Sequence, residues 1–158
     1  MWNFARPMLL SFALLLAACV SAPERSGVVE LRILAVNDFH GNLEPPGWGV
    51  RVLDPAGAIA TVPGGGAARL ATLVAQRSAL SPNAIMVSAG DVIGATPMLS
   101  SLFHDEPTIE AMSLMGLALS AVGNHEFDEG PEELLRMQRG GCHAIDGCRG
   151  PSQFEGAS

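Results

Sequence analysis

Three short apolar runs constrain this chain more than any other feature, because each ends in side chains that can hold a metal ion. Leu31-Arg32-Ile33-Leu34-Ala35-Val36 leads into Asn37-Asp38-Phe39-His40-Gly41. Ala84-Ile85-Met86-Val87-Ser88-Ala89 leads into Gly90-Asp91, and Leu117-Ala118-Leu119-Ser120-Ala121-Val122 into Gly123-Asn124-His125-Glu126-Phe127-Asp128. Runs of this length bounded by Gly and polar residues are expected to be buried strands of an α/β sheet. Ligands of such sheets gather beyond the carboxyl ends of the strands, and here three strands deliver Asp, His, Asp, Asn and His to that one edge.

The 158 residues suit one domain, and the formal net charge is -7 with no Lys at all. No basic stripe is available to follow a phosphate backbone, which argues against long nucleic acid as a partner. Residues 1–18 are expected to be a signal peptide outside the fold: Arg6 is followed by the apolar stretch Met8 to Leu16, too short to span a bilayer. Leu16-Ala17-Ala18-Cys19 resembles the lipobox of bacterial lipoproteins, which implies lipidation at Cys19. Residues 19–29 then form a tether and 30–158 the domain. The protein is expected to be exported to the periplasm or cell envelope and held on a membrane by its lipid anchor. Export leaves Cys142 and Cys148 as an even pair in an oxidising compartment, which favours a disulfide. A Cys142, His143, Cys148 metal site is the alternative, and it lacks a clear fourth ligand.

Between the strands, Ala67 to Ser78 shows helical spacing, as do Pro107 to Met115, closed by Gly116, and Pro131 to Arg139, with Glu132 and Glu133 near its positive end. The segment from Leu43 to Gly66 reads as a long Pro- and Gly-rich loop with a short hairpin around Gly49 to Leu53. Gly64-Gly65-Gly66 is expected to be a flexible helix entry; a phosphate cradle is the weaker reading. Alternating strands and helices predict an α/β fold with a parallel sheet. From Gly140 to Ser158 periodicity fades and no closing element follows, as expected of a domain incomplete at its C-terminus.

Asp38 and His40, two apart, would point to one side of an extended chain and so could meet one ion. Carboxylate with imidazole suits Mn, Zn or Fe. Asp91 would use its two oxygens best by bridging two ions, and Asn124 offers a neutral amide oxygen. His125 and Asp128 could form a dyad in which the carboxylate orients the imidazole. Taken singly, Asp38 could mark a turn, Gly90-Asp91 a helix cap and Asn124 a left-handed turn. Together, three strand ends carrying such groups argue for a site. Glu126 is expected to be solvated or capping, His104 to lie at the surface, and His143 in a loop, none of them ligands.

Asn-Asp-Phe-His-Gly at 37–41, Gly-Asp at 90–91 and Gly-Asn-His-Glu-Phe-Asp at 123–128 resemble the first three motif blocks of the calcineurin-like metallophosphoesterases. The first and last of these particularly resemble the 5'-nucleotidase and 2',3'-cyclic-nucleotide phosphodiesterase branch, over about residues 30–139. The resemblance implies the N-terminal part of an αββα sandwich and a phosphoesterase acting on nucleotides or other small phosphate esters with two divalent ions. Carried over by residue, Asp38 and His40 would hold the first ion, Asp91 would bridge, and Asn124 would hold the second. His125, oriented by Asp128, would stabilise or protonate the leaving oxygen. Further His-containing blocks and the substrate-binding domain of that branch have no counterpart in this sequence, so little activity is expected of the chain alone. A membrane-tethered, non-catalytic binding module is the competing expectation.

Overall fold

In a computed structural model, which describes residues 27–149 and 153–157, all three apolar runs are strands. Along the chain, β1 (Arg32–Val36) is followed by β2 (Val50–Leu53), β3 (Ile59–Val62) and α1 (Ala67–Ser78). Then come β4 (Ala84–Ser88), the short α2 (Met98–Ser101), α3 (Glu106–Leu114), β5 (Leu117–Ser120), a 3-10 turn (His125–Phe127) and α4 (Pro131–Arg139). Residues 1–18, Cys19 and the tether as far as 26 lie outside the described residues.

The sheet is parallel in the order β1-β4-β5, with Leu34 beside Met86 and Met86 beside Leu117. Because β4 is central, the Gly90-Asp91 segment emerges between the ends of the other two strands. Strands β2 and β3 form the expected hairpin, closed by Asp54, whose Oδ1 accepts from the Ala56 and Ala58 amides at 2.9 and 2.8 Å. The Gly-rich stretch is the helix entry. A Cβ at Gly66 would lie 2.8 Å from Pro45 N, and the Ala67 amide already donates to Leu43 O at 2.9 Å.

One core holds the helices to the sheet. Val74 of α1, Met86 of β4, Met112 of α3, Met137 of α4 and Phe154 join Val92 and Ile93 in a single buried cluster, with Leu34, Val36 and Leu70 packed on it. Alternation along β1 turns Ile33 away from this core, and it is 60% exposed; Leu119 of β5 is 65% exposed. This leaves apolar sheet surface open.

A buried ion-pair network ties α3, α4 and the tail. Arg136 donates to Glu106 Oε1 at 2.6 Å, to Glu133 at 2.7 to 2.9 Å and to Gly141 O at 2.9 Å, and its guanidinium lies 5.4 Å from the Phe154 ring centroid. Cys142 and Cys148 are joined in a disulfide whose loop is pinned by paired His143 and Gly147 backbone bonds. Among the described residues no helix is long and apolar enough to cross a membrane.

Candidate metal centre

Backbone pairing continues past the strand ends and sets the site. The Asp38 amide donates to Gly90 O at 3.2 Å, the His40 amide to Asp91 O at 3.1 Å and the Gly41 amide to Val92 O at 3.1 Å. Asp38, His40 and Asp91 all have left-handed backbone, with φ of 49°, 46° and 51°. Non-Gly residues rarely adopt it, and such strain gathers where a fold over-determines functional side chains. The expectation that Asp38 and His40 share a side of an extended chain is therefore corrected. The chain turns here, with the Asn42 side chain donating to Phe39 O at 2.7 Å, and the turn brings His40 Nε2 to 4.0 Å from Asp38 Oδ1.

The His40 ring is fixed by a backbone carbonyl. Its Nδ1 lies 2.9 Å from Gly94 O, so Nδ1–H donates there and Nε2 keeps its lone pair. Gly94 is itself fixed, its amide donating to Asp105 Oδ2 at 3.0 Å, while Ser100 Oγ donates to Asp105 Oδ1 at 2.6 Å. Thr108 Oγ1 lies 2.6 Å from that same hydroxyl, and both Ser100 and Thr108 are fully buried. Glycine is required at 94, where φ is +76° and a Cβ would stand 2.7 Å from His125 Cβ.

Asp91 is gripped on both sides. Its amide donates to Glu126 Oε2 at 3.0 Å, the Val92 amide donates to Glu126 Oε1 at 2.8 Å, and the Gly123 amide donates to Oε2 as well. Glu126 is buried, so of the solvated and capping alternatives the first is corrected and the second fits: its carboxylate ties the β4 loop to the β5 loop by accepting three amides that burial would otherwise orphan. No helix begins at Asp91, which removes the helix-cap reading. The Asp91 side chain reaches over Gly123, where any Cβ would collide with Oδ1, and accepts from the His125 amide at 3.1 Å.

His125 Nδ1 lies 2.7 Å from Asp128 Oδ2, and that hydrogen bond raises the imidazole pKa above its ordinary value, with the Asp91 and Glu126 charges adding to it. The His125 and His40 rings meet edge to face with centroids 4.9 Å apart. Ligand atoms of His40, Asp91 and His125 all lie within 4.8 Å of one another. Imidazole nitrogen and carboxylate oxygen at this spacing fit a borderline divalent cation. Asn124 is exposed at the entry to the 3-10 turn, next to His125, and its side chain does not cap that turn. Sequence reasoning missed Asp105, Ser100 and Thr108, and gave Glu126 no partners. It also left His104 and His143 apart, whereas their rings stack at 3.7 Å.

No protein-family model matches the chain. It is 47% identical over 132 residues to an uncharacterized protein in the pqq-V 5' region of Acinetobacter calcoaceticus, covering 80% of this chain and 65% of that one. It is 42% identical over 130 residues to an endonuclease of Bacillus subtilis, covering 81% and 10%. It is 35% identical over 107 residues to the 5'-nucleotidase of Rattus norvegicus, covering 67% and 18%. Among solved structures, the NAD nucleotidase of Haemophilus influenzae superposes with a TM-score of 0.58 at 33% identity, over 68% of this chain and 18% of that one. The chain thus spans under two thirds of the length of these relatives.

Proposed function

We propose, for a chain homologous to the 5'-nucleotidase and 2',3'-cyclic-nucleotide phosphodiesterase branch of the calcineurin-like metallophosphoesterases, that it hydrolyses phosphate esters of nucleotides at the edge where β1, β4 and β5 end. The observation that carries this is the convergence of His40, Asp91 and His125, with Asp38 4.0 Å from His40. Asp38 and His40 would hold one divalent ion, Mn or Zn, Asn124 a second, and Asp91 both. Bound there, such ions neutralise phosphate charge and lower the pKa of an attacking water.

The chain's own groups supply the rest. Asp128 fixes the His125 ring through Nδ1, which leaves Nε2 to carry a proton toward the leaving oxygen. With only Asp38, His40, Asp91 and Asn124 to share between two ions, this chain by itself would hold them weakly and turn over slowly. The test is hydrolysis of a nucleoside monophosphate and of an activated p-nitrophenyl ester with Mn²⁺. Asp128→Asn is expected to lower kcat by about 10²- to 10⁴-fold on the nucleotide, with KM little changed. The loss should be smaller on the activated ester, whose leaving oxygen needs no proton. Equal losses on both substrates, or none, would remove His125 as the proton donor, and no hydrolysis or Mn²⁺ binding at all would favour a non-catalytic tethered module.

The N-terminal segment supports export, with lipid on Cys19 holding the protein to the cell envelope. Palmitate labelling in a bacterial host is expected to vanish with Cys19→Ala; labelling that persists would refute the anchor.

A further inference from the structure

A second set of metal-ligand groups lies beside the first and has no part in the proposed reaction. His104, in the turn between α2 and α3, meets Glu129 and Glu133 at the start of α4 and His143 in the disulfide loop; one ligand atom from each lies within 4.8 Å of the others. We propose that these four side chains form a separate structural site for one borderline divalent cation of the Zn²⁺ class, clamping the disulfide loop onto the helical layer.

The geometry centres on Glu129. Its Oε2 is 3.3 Å from His104 Nδ1 and 3.6 Å from His143 Nε2, so both imidazoles address one carboxylate oxygen. His104 Nε2 lies 2.9 Å from Asp146 Oδ2, so Nε2–H donates to that carboxylate, and Nδ1, facing Glu129 Oε2, is the nitrogen that would give its lone pair to a cation, the arrangement that orients a metal-bound histidine. The two histidine side chains are only 15% and 13% exposed. His104 has left-handed backbone at φ 49°, a conformation the surrounding fold must impose. Glu133 accepts two bonds from Arg136 on Oε1 but one on Oε2, which leaves Oε2 a free lone pair.

Two points decide how the site closes. A tetrahedral shell with bonds of about 2.0–2.1 Å places neighbouring ligand atoms about 3.4 Å apart, so the two contacts of Glu129 Oε2 at 3.3 and 3.6 Å already match, and only the wider pairs, all within 4.8 Å, draw together on binding. His143 Nδ1 accepts from the Asp146 amide at 3.2 Å, so ligation through Nε2 moves the ring proton to Nδ1, breaks that bond, and requires the Asp146 carboxylate, now 3.9 Å away, to close in as the acceptor. Both sulfurs of the alternative Cys142, His143, Cys148 site are spent in the disulfide, so the site takes nitrogen and oxygen donors only. The stack of two rings at 11° is otherwise a plain hydrogen-bonded cluster around Glu129 and Asp146, and the test must separate the two.

The experiment uses the full chain carrying His40→Ala and Asp91→Ala, which disables the first site, titrated with Zn²⁺ and with Co²⁺ alone. One ion per chain is expected to remain bound, with X-ray absorption showing two imidazoles, oxygen donors and no sulfur. Adding His104→Gln and His143→Gln should weaken binding by at least about 100-fold and abolish the Co²⁺ spectrum. No ion in the parent, a sulfur-to-metal band, or binding unchanged by the His substitutions would overturn the proposal. Should the quadruple variant not fold, the absorption spectrum of the parent decides alone: a shell without two imidazoles sinks the assignment. These outcomes leave the first site's reading untouched, since its ligands are already removed.

Discussion

Asp91→Ala is expected to abolish stoichiometric Mn²⁺ binding and phosphoester hydrolysis together while leaving the chain folded. Asp91 is the only one of the candidate ligands that emerges from the central strand, between the ends of β1 and β5. Its main-chain oxygen accepts from the His40 amide and its side chain accepts from the His125 amide at 3.1 Å, so it touches both halves of the site. Removing the carboxylate would delete the donor proposed to be shared by two ions and leave the charge of a bound phosphate unrelieved. The backbone grip survives, because Glu126 holds the Asp91 and Val92 amides, not the side chain. Isothermal titration with Mn²⁺ and circular dichroism on the same sample make the comparison. Wild-type-like binding by the variant would mean the ion sits elsewhere.

The largest loss of stability is expected from Arg136→Ala, about 3–5 kcal/mol. The Arg136 side chain is 8% exposed and those of Glu106 and Glu133 are 11% and 13% exposed. Taking away the guanidinium strands two carboxylates near one another with no countercharge, unseats Gly141 O and uncovers the Phe154 ring. A buried pair need not be stabilising relative to apolar residues, but breaking one by removing a single partner is costly. Urea denaturation should show a lower midpoint with an unchanged slope. Arg139→Ala, at an exposed position on the same helix, should shift stability by less than about 0.5 kcal/mol.

Elements with strong periodicity or clear stop signals could be read from the sequence. α1 and α4 have the expected ends, and Gly116 at φ 82° follows α3. The three strands came from apolar runs whose boundaries Gly and polar residues mark. The short α2 has four residues, too few for a periodic signal, and α3 begins one residue early because Asp105 turns left-handed and spends its carboxylate on Gly94 and Ser100 rather than on a helix cap. The candidate ligands could be picked out because each lies within four residues of a strand's end. What holds those ligands was not. Glu126 looks like any acidic loop residue until two amides of the distant β4 loop and one of its own loop point at it, and Ser100 and Thr108 are small polar residues whose burial depends on tertiary contact. His104 and His143 are 39 residues apart in sequence, and only the packing of the disulfide loop against the start of α4 brings their rings together.

The decisive measurement is anomalous diffraction at the Mn edge from crystals of the full chain grown with Mn²⁺. Peaks within about 2.0–2.6 Å of oxygen or nitrogen atoms of Asp38, His40 and Asp91, with His125 adjacent, are the predicted result. A well-ordered structure in which those side chains hold no ion, while manganese binds at other surfaces, would contradict the assignment of a phosphoesterase centre to this sheet edge.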